Sequence, residues 1–275
     1  MRAAVMFQVL APCPSLTPYV DGYWFVQDLE GAYAGSDITT CPYPGAVLSV
    51  NFGRPNAMVG GPAVPTVSLL GLQSASRRWQ SWSDTYFVMA MLSGAGLARL
   101  FPGVGPECKD QLLDLAGYLG DRASHALSAD LSAAWMPARI VARLDAWLLR
   151  RLAALREPTA LQSMRAAHAL LREGRQVQEV ASLMAVSRRQ LNRWFAQQLG
   201  LGPKQLMELE RLQHSIQALQ RGTCAALDGY SDQAHQIRAW RRRMAQTPGT
   251  YARSGQSPLA VSFGQRPAGA PAFYL

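Results

Sequence analysis

Arg188, Arg189, Asn192 and Arg193 fall within one six-residue window. Each carries a planar side chain that makes two hydrogen bonds at once. An arginine fork fits the O6/N7 edge of guanine or a phosphate, and an asparagine amide fits the N6/N7 edge of adenine. Ser187, Gln190 and Gln197 add polar groups to the same stretch. The element that must position them is a helix. Ser187 suits its N-cap, and Gln190 three residues later completes a capping box. Leu191, Trp194, Phe195 and Leu199 follow at helical spacing, so one face is apolar and core-forming. The arginines and Asn192 are left on the other side, near the N-terminal end, from which a helix in a major groove contacts base edges. Residues 177–184 read as a shorter helix before a tight turn, which makes 177–199 a helix-turn-helix. An amphipathic hairpin with a solvated basic face is the plainer alternative.

The segment returns 45 residues later in a degenerate form. Ser187 pairs with Asp232, Arg193 with Arg238, Phe195 with Trp240, Pro203 with Pro248, and Leu206 with Tyr251. Between the copies, 203–220 predicts one connecting helix. Pro203 suits its first turn, Gly222 its stop, and Leu206, Leu209, Leu212, Ile216 and Leu219 its apolar face. Two such units on one helix would place two recognition helices in successive major grooves, about 34 Å apart. The second recognition helix is predicted to begin near Asp232 and to show Gln233, His235, Gln236, Arg238, Arg241 and Arg242.

The stretches VASLMAVSRRQLNRWFAQQLGLGPKQL (180–206) and GYSDQAHQIRAWRRRMAQTPGTYAR (229–253) resemble the C-terminal DNA-binding domain of AraC/XylS-type transcriptional regulators. The second is the more specific, with its G-Y-x-D-Q-A-H run, following arginine and aromatic, and T-P-x-x-Y. The resemblance covers about 165–253 and implies double-stranded DNA as the partner. For an activator it also implies RNA polymerase and, for a paired site, a homodimer. There are departures. Only 221–228 separates the connecting helix from Gly229, a short approach. Asp228 stands where an apolar residue is usual, Gln236 occupies the slot matching Leu191, and Ala245 the slot matching Gly200. The second unit is therefore expected to make mainly backbone contacts, with Arg238, Arg241, Arg242 and Arg243 near phosphates.

Charge agrees with this division. Residues 1–138 hold 7 Lys/Arg against 10 Asp/Glu, whereas 139–275 hold 20 against 8, and 19 of those 20 are Arg. A basic half beside a mildly acidic half is the footprint of a nucleic-acid-binding domain attached to a sensor or partner domain. An Arg-favouring genome also contributes. The apolar share of 49% suffices for real cores.

Upstream, 5–10, 20–27, 46–52, 67–72 and 86–92 are short runs rich in Val, Leu and aromatics. Pro-Gly and Gly-Gly punctuation separates them, which predicts an all-β barrel or sandwich. The start, MRAAVMFQVLAPC, is read as a first strand in preference to a lipoprotein signal, because it is short and interrupted by Gln8 and Pro12. Residues 111–119 and 139–155 turn helical. In the latter, Ile140, Leu144, Trp147, Leu148, Leu152 and Leu155 form a stripe that would dock the two domains, pair two subunits, or cap the N-terminal core. Val20-Asp21-Gly22-Tyr23-Trp24 and the turn-strand 42–53 resemble the cupin-like sensor domains of some AraC-type regulators. Trp24, Tyr43, Phe52, Trp79, Trp82, Tyr86 and Phe87 are either core or the lining of an apolar effector pocket.

The fold class expected is α+β: an N-terminal all-β cupin-like barrel, then an all-α domain with two helix-turn-helix units. The divisions are 1–120 (sensor), 121–160 (helical linker or dimerisation segment), 161–254 (DNA-binding) and 255–275 (tail). His125, His168, His214 and His235 lie outside the presumed barrel, and Cys13, Cys41, Cys108 and Cys224 are widely spaced. No metal site, cofactor or disulfide is expected. No nucleophile elbow, P-loop or dinucleotide glycine pattern is present, so an enzyme is not expected. No apolar run is long enough to cross a bilayer, and a cytoplasmic location is expected. Two readings remain: a sequence-specific, effector-responsive transcriptional regulator, and a degenerate regulator acting mainly through protein contacts.

Overall fold

A computed structural model describes residues 5–223, 229–264 and 271–275. Cys224 and Asp228, and with them the short approach to the second unit, lie outside the described residues. The described strands are β1 (Met6–Leu10), β2 (Val20–Asp28), β3 (Asp37–Thr40), β4 (Ala46–Asn51), β5 (Ala57–Met58), β6 (Val67–Leu70), β7 (Arg77–Gln80), β8 (Thr85–Leu92) and β9 (Leu112–Asp114). They form a six-stranded antiparallel sheet in the order β1-β2-β8-β4-β6-β9 and a three-stranded sheet in the order β3-β7-β5.

The helices that follow are α1 (Gly94–Leu100), α2 (Gly105–Cys108), α3 (Ala116–Leu119), α4 (Asp121–Ala134), α5 (Pro137–Ala154), α6 (Thr159–Arg172), α7 (Val177–Leu183), α8 (Arg188–Leu199), α9 (Pro203–Gln220), α10 (Gln233–Met244), α11 (Pro248–Ser254) and α12 (Pro258–Ser262). The chain is thus an N-terminal β unit followed by an all-α region. No helix among the described residues is long and apolar enough to cross a membrane.

The large sheet is covered on both faces, and β8 shows why. Side chains alternate across a strand. Tyr86, Val88, Ala90 and Leu92 join the core beneath the helices, whereas Phe87, Met89 and Met91 join a second core beneath the small sheet. Every residue of β8 is consequently buried, which accounts for an unbroken apolar run in place of an alternating one.

α5 closes the helical face. Ile140, Leu144 and Leu148 are buried in the first core. Asp145 accepts the Tyr23 hydroxyl at 2.6 Å and the Cys13 amide at 3.0 Å. Arg99 donates to Leu152 O at 2.7 Å, and Arg151 to Leu100 O at 2.8 Å. Of the three roles open to this stripe, capping the β unit is the one these contacts fill.

Three other expectations are corrected. Residues 111–119 are not one helix: Leu112–Asp114 pairs with β6, and only Ala116–Leu119 is helical. The small sheet is not among the predicted strands. Segment 255–275 is not a plain tail, since α12 packs into the second core and 271–275 lies along β3.

Candidate nucleic-acid interface

The first helix-turn-helix is α7, a turn, and α8. The turn passes through Ala185 in the left-handed region, at φ 53°. Val180 and Ala181 of α7 and Leu191, Phe195 and Leu199 of α8 are buried, together with Leu161, Met164, Ala167 and Leu171 of α6 and Leu206 and Leu209 of α9. Trp194 is only half-buried at the edge of this core, so the predicted stripe is narrower by one residue.

Ser187 caps α8 by accepting the Gln190 amide at 3.1 Å. The capping box is half formed, because the Gln190 side chain turns to Arg193. The opposite face carries the chemistry. Arg188, Arg189, Asn192, Arg193 and Gln197 are exposed, as is Ser187, and Gln190 is half-exposed. The Asn192 amide donates to Arg188 O at 2.8 Å, a bond within its own helix that a base edge can replace. The predicted residues of the first unit therefore lie on the exposed side of α8, all but Gln197 toward the N-terminal end suited to groove entry.

The second unit repeats the frame. Asp232 accepts the His235 amide at 2.7 Å, and that bond holds its carboxyl below the usual range. Trp240 fills the slot of Phe195, and Tyr251 that of Leu206. Gly200 caps α8 at φ 72° and Ala245 caps α10 at φ 55°, both left-handed. Gln233, Arg238, Arg241 and Arg242 are exposed, and His235 is half-exposed beside Ser231 and Tyr230.

Two residues depart from the expectation. Gln236 is buried, and its amide donates to Ser215 Oγ at 3.1 Å, as does the Trp240 indole. It takes the core slot of Leu191, so its side chain is not on the basic surface. The alignment of the repeats carried that signal. Arg243 is also withdrawn: it donates to Ser74 O and to Glu208, each at 3.0 Å. Its partners lie far off in the chain, and no local pattern announces them.

The aromatic residues of the β unit divide as the sheet faces do. Trp79 and Phe87 line a cavity between the sheets, whereas Phe52 and Tyr86 meet under the helices with their rings tilted by 54° and centroids 5.0 Å apart. Trp24 and Tyr43 are core, and Trp82 lies under Arg54. Among the described residues, no cluster of His, Cys, Asp and Glu is arranged to hold a metal.

Residues 180–254 match a family described as a helix-turn-helix domain, of the AraC type. No curated protein matches the chain in sequence. Among solved structures, the chain is similar to ToxT from Vibrio cholerae. One ToxT structure has 11% identity and a TM-score of 0.44, with 90% of this chain and 97% of that chain covered. An apo ToxT variant has 13% identity and a TM-score of 0.43, covering 84% and 96%. The AraC-like transcriptional activator CuxR has 14% identity and a TM-score of 0.18, covering 63% and 66%.

Proposed function

We propose that this chain, whose residues 180–254 are an AraC-type helix-turn-helix domain, is a sequence-specific transcriptional regulator that binds double-stranded DNA and answers to an effector held by its β unit. One observation carries the reading. α8 buries one face completely and leaves Arg188, Arg189, Asn192 and Arg193 exposed at its N-terminal end. Those four read bases, with Ser187, Gln190 and Gln197 beside them. In the second unit Gln233, His235, Arg238, Arg241 and Arg242 track the backbone. The effector is an apolar molecule seated between the sheets. DNA as the target places the protein in the cytoplasm. As an activator it would meet RNA polymerase on the DNA, and on a paired site a second copy of itself.

The test is selection of bound duplexes with the full chain, repeated with Arg189→Ala and Asn192→Ala. Each change is expected to relax preference at one position by about 1–3 kcal/mol while non-specific affinity changes little. An unaltered preference in both variants would refute the assignment. A full chain that selects no sequence at all would favour the reading through protein contacts.

A further inference from the structure

Segment 271–275 belongs to two cores at once. Its backbone runs antiparallel to β3: the Cys41 amide donates to Phe273 O at 2.8 Å and the Leu275 amide to Thr39 O at 3.0 Å, with Thr40 opposite Tyr274. Phe273 and Tyr274 join the core between the sheets. The Phe273 ring lies 6.0 Å from that of Tyr43, and Tyr274 stacks on Phe263 at 5.4 Å. Ala272 and Leu275 join the core of the second helix-turn-helix, with Leu212, Ile216, Trp240 and Met244.

The α9 side chains complete the seam. Gln213 brackets Ala272, accepting its amide and donating to its carbonyl, each at 3.0 Å, and it also donates to Pro42 O. Gln220 donates to Tyr274 O and to the Tyr251 hydroxyl, each at 2.9 Å. A hydrogen-bonded path thus runs from the small sheet through 271–275 to the second unit. Beside it, Arg243 is held by Ser74 and Glu208.

The same segment limits the cavity. The space between the sheets is about 60 Å³, with Phe273 and Tyr274 forming part of its wall. A site for a small organic molecule needs about 300–1,000 Å³. The two rings fill volume that such a molecule would require.

We propose that 271–275 is a latch. It holds the second helix-turn-helix against the β unit and keeps Arg243 away from nucleic acid, and an apolar molecule enters between the sheets by displacing Phe273 and Tyr274. The consequence for DNA rests on the proposed function, whereas the latch itself does not.

The experiment compares the full chain, a Phe273→Ala/Tyr274→Ala variant and a deletion of 271–275. Amide hydrogen exchange in α10 and α11 is expected to quicken about tenfold or more in both variants, with α7 and α8 unchanged. The synthetic peptide PAFYL should restore protection to the deletion variant. That variant should also bind the apolar dye anilinonaphthalene sulfonate, and the peptide should displace the dye. On a duplex, the slope of log affinity against log salt should steepen by about 0.9, as Arg243 gains a phosphate. Unchanged exchange would overturn the proposal. So would faster exchange that extends through α7 and α8, since the segment would then be a common core element, and so would a shallower salt slope. Exchange and peptide rescue as expected, in a chain that binds no duplex, would sustain the latch and refute the proposed function.

Discussion

Gly105→Ala should part the first recognition helix from the β unit. Gly105 opens α2, which packs across the C-terminal end of α8. A Cβ built there lies 2.0 Å from Gln198 O and 2.6 Å from the Gln198 carbonyl carbon. Both are backbone atoms, so no rotamer change relieves the clash. Gly105 is not among the residues with positive φ, so alanine fits its backbone and the effect is steric alone. Contacts of this kind do not fall below 3.0 Å, so the helices must separate by about 1 Å. Overpacking of this order costs about 1–3 kcal/mol. For a chain of this size that lowers the melting temperature by about 2–4 °C per kcal/mol, which calorimetry resolves. Gly117→Ala is the control. Nothing lies within 4 Å of its Cβ and its φ is not positive, so stability should hold or rise slightly. If Gly105→Ala melted with the wild type and with Gly117→Ala, the close seam between α2 and α8 would be refuted.

Three further outcomes are expected. Phe195→Ala removes a ring with no solvent exposure and should cost about 3–5 kcal/mol in denaturant unfolding; an unchanged midpoint would count against the packing of the first unit. Ala245→Gly relieves a left-handed alanine at φ 55° and should stabilise the second unit by about 1 kcal/mol, visible as a higher melting temperature. Asp21 keeps solvent exposure at its edge of β2, but its carboxyl is turned into a cleft beside Tyr43, and desolvation there raises it above its ordinary value. Glu210 adds to the rise, while the Tyr43 hydroxyl bond and Arg172 oppose it, and His168 and His214 line the same cavity. An acid whose folded pKa is raised stabilises the fold fully below its unfolded value of 3.8, and that stability is lost as pH rises through the folded value. Asp21→Asn should therefore gain on the wild type as pH rises through this window, and parallel melting curves across it would contradict a desolvated carboxyl in the cleft.

What the sequence discloses follows from how local each element's partners are. α8 is legible because its cap, its stripe and its exposed arginines lie within the consecutive stretch Ser187 to Leu199. β8 is legible because both of its faces are covered, leaving an apolar run that needs no register to recognise. The small sheet is not, because DITT and RRWQ are short and largely polar. Part of what covers it arrives from the far end of the chain, where Cys41 Sγ donates to Ala272 O. Segment 271–275 has no period to betray it, since Thr39, Cys41 and Gln213 are its partners. Gln236 lies between these extremes: the repeat places it in the slot of Leu191, and its amide type hid the core position that the alignment assigned.

The repeat carries one further correspondence that only the fold reveals. Gln198 and Arg243 are 45 residues apart, the same offset as the caps. Each sits near the C-terminal end of a recognition helix, and each presents its backbone carbonyl to the β unit. Gln198 O lies against Gly105, and Arg243 O accepts the Ser76 amide at 2.8 Å. The two units thus dock by the same slot and leave the same N-terminal ends outward. They differ in how that slot is held. The first is a close backbone contact at a glycine, with no charge involved. The second adds an arginine whose guanidinium is bound by Ser74 and Glu208. Arg243 and Glu208 keep only 11% and 20% of their side-chain surface exposed, so salt screens their contact less than it would an open ion pair. Of the two docks, the second is therefore the polar and charged one, and the first is close packing alone.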